Sequence, residues 1–407
     1  MRIYHLADLH LGKSVYGLPM LADQRHFVEE FLKICQQRQP DAVLIAGDVY
    51  DRSAPSGDAV ELLDFLLTKL VEQNIPVLLI SGNHDSGQRL SFGQAMFADK
   101  HLHIAGKVSE ELKKVTLKDE YGAVDFYLLP YTYPEQLSVV LNEPLRNYDQ
   151  AMRCYLGKQQ IDNERRNVLI AHQNVVNNGK ESERGGSETM VGGVGMIEAC
   201  AFDMFDYVAL GHIHAAYPVA KETIRYAGTP LCYHLNETRQ QIKGFTEVIL
   251  KRKGETPQIT QIGITPLHQM RYLKGSRDEI YDLLKEDKGR NEYVGITITD
   301  QRISQEIADY LRSLLSTRGS VLIELLSSYQ EQHSGSKGRD IDDIREEPIE
   351  ELFARFYQEQ FGDVAPDEKE YAYMCALGEM LRNTSDKNDV DDNAVAQALK
   401  KLNEVLR

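Results

Sequence analysis

Five short polar clusters, each standing where an apolar run ends, carry most of the side chains able to do chemistry. They are Asp8-Leu9-His10, Gly47-Asp48-Val49-Tyr50-Asp51, Gly82-Asn83-His84-Asp85, Ala171-His172 and Gly211-His212-Ile213-His214. Together they hold four Asp, one Asn and five His. Mixed carboxylate, imidazole and amide donors suit Mn, Fe, Zn or Co better than Mg or Ca. The inventory is large enough for two divalent cations and a phosphate, and a cation pair about 4 Å apart needs a bridging anion. Asp48 is the candidate bridge, with Asp8, His10 and His214 expected on the first cation and Asn83, His172 and His212 on the second. His212 and His214 lie two apart, so an extended backbone points both the same way. Two such cations acidify a water for in-line attack on phosphorus. His84 is then the candidate catalytic acid or phosphate binder. Asp85 is expected to orient His84 through a hydrogen bond, and Asp51 is a candidate substrate contact.

Strands must deliver these clusters. The runs ending at Ala7, Ala46 and Ser81 alternate with helical patterns near residues 21–37 and 56–70, a rhythm that predicts parallel strands joined by crossovers. Ligands of such sheets gather beyond the carboxyl ends of the strands, so the first three clusters are expected on one rim. The unbroken apolar run Ala42-Val43-Leu44-Ile45-Ala46 predicts a strand with helices on both faces. Ser56 is the expected N-cap of a helix with Val60, Leu63, Leu66, Leu67 and Leu70 on one side. Shorter β-like pieces from about residue 102 predict a second sheet, carrying His172 and Gly211-His212, and a helix is expected over 142–163. Residues 177–195 hold six glycines and read as a surface loop near the site.

The length of 407 residues predicts two or three domains: 1–265, a small α/β unit over 266–335, and a helical tail over 340–407. Residues 332–339, rich in Ser, Gly and Lys, make a linker. Beyond it Ile349, Leu352, Phe353, Phe356 and Tyr357 recur at helical spacing as one apolar stripe, read either as tertiary core or as a helix that docks in a partner's groove. The net charge of -16 argues against a nucleic-acid partner. It is concentrated, however: residues 340–407 carry 18 Asp and Glu against 8 Lys and Arg, -10 of the total. Five scattered cysteines without a C-x-x-C pair fit a reducing compartment. No apolar run approaches the ~20 residues of a membrane span, and the N-terminus enters a strand at once, so neither a signal peptide nor a membrane helix is expected and the localisation reads as cytoplasmic.

A lone D-x-H or H-x-H belongs as easily to an ordinary turn, but five such clusters in this order match the motif series of calcineurin-like metallophosphoesterases. The chain resembles that family over about residues 1–265. The opening Met1-Arg-Ile-Tyr-His-Leu-Ala-Asp-Leu-His-Leu-Gly12, the Tyr226-Ala-Gly-Thr-Pro230 turn and the layout beyond 266 resemble its SbcD-type repair nucleases. The resemblance implies an α/β four-layer fold, two facing β-sheets flanked by helices, that binds two divalent cations, Mn²⁺ by preference. It implies exonuclease action on double-stranded DNA ends and endonuclease action on hairpins or single strands, in repair and recombination. It also implies a homodimer within a heterotetramer, coupled to an SbcC-type ATPase; no Walker A sequence occurs here, so ATP use belongs to that partner. By the same resemblance 266–335 is a DNA capping domain, and the helix carrying Ile349, Leu352, Phe353, Phe356 and Tyr357 docks on the ATPase coiled coils. Archaeal and eukaryotic relatives carry a DNA-contacting histidine where Asp51 stands, a departure in this chain. The competing readings are a small-molecule metallophosphatase or cyclic-nucleotide phosphodiesterase, which has no need of residues beyond 266, and an inactive scaffold, which has no need of seven ligands.

Overall fold

The apolar runs that end in the polar clusters are strands of two facing sheets. The computed structural model describes residues 1–179, 195–239, 242–286 and 289–329, with 351, 353–354, 357, 366–367, 371 and 374–375 from the tail. The first sheet has the order Gln258–Gly263, Gly244–Ile249, Arg2–Leu6, Ala42–Ala46, Val77–Ile80, Leu102–Ala105. Its last four strands run parallel, and the Gly244–Ile249 strand pairs antiparallel with Arg2–Leu6. The second sheet has the order Pro218–Val219, Lys221–Tyr226, Tyr207–Gly211, Arg166–His172, Gly122–Leu129, Lys113–Asp119.

Alternate residues of each strand feed different cores, as a two-residue period requires. Val43 and Ile45 pack with Phe27, Phe31, Leu62 and Leu66 of the helices Leu21–Arg38 and Gly57–Glu72. Ala42, Leu44 and Ala46 face the other way, onto Phe126, Leu128, Val168, Ile170 and Ala209 of the second sheet. The far face of that sheet, with Leu129, Leu169 and Leu210, packs on Leu137, Met152 and Tyr155 of the helices Pro134–Leu141 and Tyr148–Gly157. The layers are therefore helices, sheet, sheet, helices. Helices do not cover both faces of Ala42–Ala46, contrary to expectation: a second sheet covers one, and an apolar run cannot report which element excludes the water.

Ser56 caps its helix, accepting from the Ala59 N–H, but Val60 stands 44% exposed and the buried side is Ala59, Leu62, Leu63, Leu66 and Leu70. The helix expected over 142–163 is shorter: Asn147 caps Tyr148–Gly157. All five cysteines are free. Among the described residues no helix is long and apolar enough to cross a membrane.

Gln269–Gly275, Glu292–Ile298 and Val321–Ser327 form a separate parallel sheet with its own core of Val294, Ile296, Ile298, Leu311 and Leu315. It is nevertheless part of one compact unit, Met1–Tyr329. Met270 and Tyr293 join the apolar core of the first sheet. The buried Asp23 carboxylate accepts from the His268 N–H at 3.0 Å and the Tyr293 hydroxyl at 3.2 Å, and lies 3.1 Å from His268 Nδ1. The boundary expected at 266 is thus a change of sheet within one body. Residues 330–407 form a second unit. Of the apolar stripe, Phe353 and Tyr357 are described, with ring centroids 5.7 Å apart; Ile349, Leu352 and Phe356 lie outside the described residues, as does the 180–194 stretch of the glycine-rich loop.

Asp23→Ala leaves these donors without their acceptor. It is expected to cost on the order of 2–4 kcal/mol in chemical denaturation and to accelerate amide exchange through 269–298 ahead of the two large sheets. Uniform exchange across the unit would show that Asp23 does not latch the third sheet.

Candidate metal centre

Three neighbouring strands of the first sheet and two of the second end at the same place. Loops 8–12 and 47–51 are zipped together through Asp8 N–H to the Gly47 carbonyl, His10 N–H to that of Asp48 and Leu11 N–H to that of Val49, at 3.1, 2.9 and 2.9 Å. Gln24, in the first turn of its helix, braces the first loop by donating to the His10 carbonyl (2.7 Å) and accepting from the Gly12 N–H (2.9 Å). Asp8, His10, Asp48 and His212 all have positive φ, at 52°, 44°, 46° and 103°. L-residues rarely adopt this conformation, and its concentration here marks a backbone bent to aim side chains inward. Gly82 is required for another reason: a Cβ there would meet Asp48 Oδ1 and its backbone N.

The expected ligands converge. Asp8, His10 and His214 offer donor atoms within 4.8 Å of one another, as do Asp8, Asp48 and His172. His10 Nε2 and His214 Nε2 are 3.1 Å apart, a separation at which two lone pairs repel unless a cation or proton is shared. On the other side Asn83 Oδ1 lies 3.0 Å from His172 Nε2 and 3.1 Å from His212 Nδ1. Asp48 stands between, with Oδ2 3.4 Å from His172 Nε2, 3.7 Å from His10 Nε2 and 3.9 Å from His84 Nε2. Its Oδ1 accepts the His84 N–H at 2.9 Å. The two groups match the division expected from spacing, with Asp48 at their centre.

The electrostatics suit cations. Burial pushes the Asp8 carboxyl up to about 7, with Asp48 adding to the effect. Burial acts on Asp48 in the same sense, but the imidazoles of His172, His10 and His84 outweigh it and hold Asp48 ionised. For His172 burial opposes charge, yet Asp48 and Asp8 raise it to about 9. A fully buried imidazole that keeps a proton reports a strongly negative surrounding. Because His172 Nδ1–H donates to the Ala46 carbonyl at 2.8 Å, that extra proton sits on Nε2, facing Asp48 and Asn83. This donor set of hard oxygens and imidazole nitrogens, negative and convergent, fits two divalent cations.

Three expectations change in detail. Asp85 does not orient His84: its carboxylate accepts the N–H groups of Val49 (3.1 Å), Tyr50 (2.9 Å) and Gly82 (2.9 Å), tying two ligand loops together. The His84 ring is fixed instead by its Nδ1–H, which donates to the Asp51 carbonyl at 2.9 Å and leaves Nε2 facing the cluster. The Asp51 carboxylate is paired with Lys13 at 2.8 Å and lies 3.8 Å from His10 Nδ1, so it backs a ligand instead of reaching outward. Gln24 and Glu237, whose Oε1 lies 3.4 Å from His214 Nδ1, had no signal in the sequence. Beside Asn83 opens a groove of about 590 Å³, lined in part by Gly87, Lys107, Tyr131, Tyr133 and Val139, with the Tyr131 ring stacked 6.2 Å from that of His212.

Residues 1–216 match the family described as Calcineurin-like phosphoesterase. The chain belongs to that family. Residues 266–361 match a second one, described as Type 5 capsule protein repressor C-terminal domain. Among curated relatives, the SbcD subunit of the SbcCD nuclease from Staphylococcus saprophyticus is 32% identical over 299 residues, 72% of this chain and 77% of that protein. Its counterpart in Staphylococcus epidermidis is 32% identical over 304 residues, covering 74% and 79%. The similarity extends beyond the phosphoesterase match and places this calcineurin-like phosphoesterase among the SbcD-type nucleases, metal-dependent hydrolases.

Asp85→Ala removes the acceptor shared by three loop amides. The expected result is a loss of about 1–3 kcal/mol with faster hydrogen exchange at Val49, Tyr50 and Gly82. Unchanged exchange at those amides would return Asp85 to a role at the His84 ring.

Proposed function

We propose that Asp8, His10 and His214 hold one divalent cation and Asn83, His172 and His212 a second, with Asp48 between them, and that the pair, Mn²⁺ by preference, serves hydrolysis of DNA phosphodiester bonds. The observation that carries this reading is the meeting of seven donor side chains from five separate loops around Asp48. When bound, such cations acidify a water and offset the charge that builds on the phosphoryl oxygens. His84 is exposed enough to reach substrate and aims Nε2 toward the cluster, so it is placed to give a proton to the leaving oxygen. Asp48 aligns it from the other end by accepting the His84 N–H.

DNA is favoured over a small phosphoester because the sheet of residues 269–327 is built into the body that holds the site and touches the site's own support. Leu235, two residues from Glu237, packs so closely on Gly295 that a side chain there would collide with it. The relatives named as SbcCD nuclease components support double-strand exonuclease and hairpin or single-strand endonuclease action in repair and recombination, with an SbcC-type ATPase as partner. In this reading the chain works in the cytoplasm as a homodimer within a heterotetramer. Residues 266–335 cap the DNA, and the stripe bearing Phe353 and Tyr357 docks on the ATPase.

Metal analysis separates ligand from acid. Asp48→Ala is expected to lose at least one cation, whereas His84→Gln keeps the metal content and loses hydrolysis by about 10²–10⁴-fold, the usual weight of a general acid. Equal depletion in both variants would contradict the division. Substrate class is read with Mn²⁺ on a DNA hairpin and on bis-p-nitrophenyl phosphate: hairpin cleavage is expected, and turnover confined to the small ester would favour the phosphodiesterase reading.

A further inference from the structure

Glu237 lies 23 residues beyond the last cluster, on the short helical turn Leu235–Arg239, and is buried. Its Oε1 is 3.4 Å from His214 Nδ1. Its Oε2 accepts from Lys243 Nζ at 2.6 Å, the Thr229 hydroxyl at 3.2 Å and the Tyr233 N–H at 3.2 Å. Lys243 also donates to the His214 carbonyl and the Thr229 hydroxyl, at 3.0 and 2.6 Å. The Tyr226-Ala-Gly-Thr-Pro230 turn brings Thr229 here: its N–H donates to the His214 carbonyl at 3.1 Å, and a Cβ on Gly228, at φ +72°, would strike that same carbonyl. One carboxylate is thus held from three sides and turned toward the ring nitrogen of His214 that points away from His10.

We propose that Glu237 is a positioning residue that holds His214 as the Nδ1–H tautomer and so presents its Nε2 lone pair to the cation shared with Asp8 and His10. The inference rests on the two-cation reading above. An ionised carboxylate only accepts, so the nitrogen facing it carries the proton and the opposite one is left with a lone pair. His172 is served differently, by the Ala46 carbonyl, which fixes the tautomer without adding charge. The two halves of the centre are therefore unequal: a carboxylate backs the His214 ring and makes it the more basic donor, while a neutral carbonyl backs His172. The His214 half is the tighter site, and Glu237 is what makes it so.

Glu237→Gln in the full chain keeps the shape and removes the charge. In a titration with Mn²⁺ followed by the EPR signal of the free ion, the wild type is expected to bind two ions. The variant is expected to bind one of them about 10–100-fold more weakly and the other within about twofold of the wild type. Two unchanged affinities in a variant with wild-type thermal melting would assign Glu237 to packing alone and overturn the proposal. Equal weakening of both sites would overturn it too. A wild type that binds no Mn²⁺ would fail earlier, removing the two-cation reading itself. If the variant does not fold, ¹⁵N shifts of the histidine rings in the metal-free wild type decide, with His214 assigned by the signal lost in His214→Asn. A protonated Nδ1 on His214 is the expected result, and a protonated Nε2 would overturn the proposal.

Discussion

A buried negative charge has to be answered by positive charge or by hydrogen bonds, and Asp48 is that charge in this protein. It is 2% exposed and surrounded by three imidazoles and a backbone amide. The local geometry serves this one demand. Gly82 carries no side chain so that Asp48 fits beside it, the left-handed backbone at Asp8, His10, Asp48 and His212 turns side chains inward, and Asp85 ties the loops that meet there. Asp8, His10, Asp48 and Asn83 follow strands of the first sheet, while His172, His212 and His214 follow strands of the second. The centre therefore straddles the seam of the sandwich, and the packing of Leu44 and Ile80 against Phe126 and Ile170 sets the spacing of the donors as well as stabilising the fold.

Around the donors stands a set of groups that choose which nitrogen of each ring faces inward. The Ala46 carbonyl does so for His172, the Asp51 carbonyl for His84 and the Glu237 carboxylate for His214. Asp51 and Lys13 lie behind His10. These contacts come from loops far apart in sequence, and they explain how imidazoles with little solvent around them keep defined donor directions.

The donors themselves were legible in the sequence because they sit at strand ends in short motifs, where a period-2 apolar run followed by Gly and a polar pair has few other uses. What was not legible depends on tertiary approach. Asp85 adjoins His84 in the chain, yet its carboxylate turns back to the amides of Val49, Tyr50 and Gly82, which no spacing rule anticipates. Glu237 and Gln24 lie far from any cluster and reach it through the fold. The apolar run Ala42–Ala46 announced burial on both faces without distinguishing helix from sheet as the cover. The change of pattern near 266 marked a new sheet correctly, but Asp23, His268 and Tyr293 fasten that sheet to the first body.

The central claim is that one buried carboxylate organises two cation sites across the seam between the sheets. Anomalous diffraction at the manganese edge from crystals soaked in Mn²⁺ tests it directly. The account predicts two peaks about 4 Å apart, one beside His10 and His214, one beside His172 and His212, with Asp48 touching both. A single peak, or two peaks of which neither contacts Asp48, would contradict it.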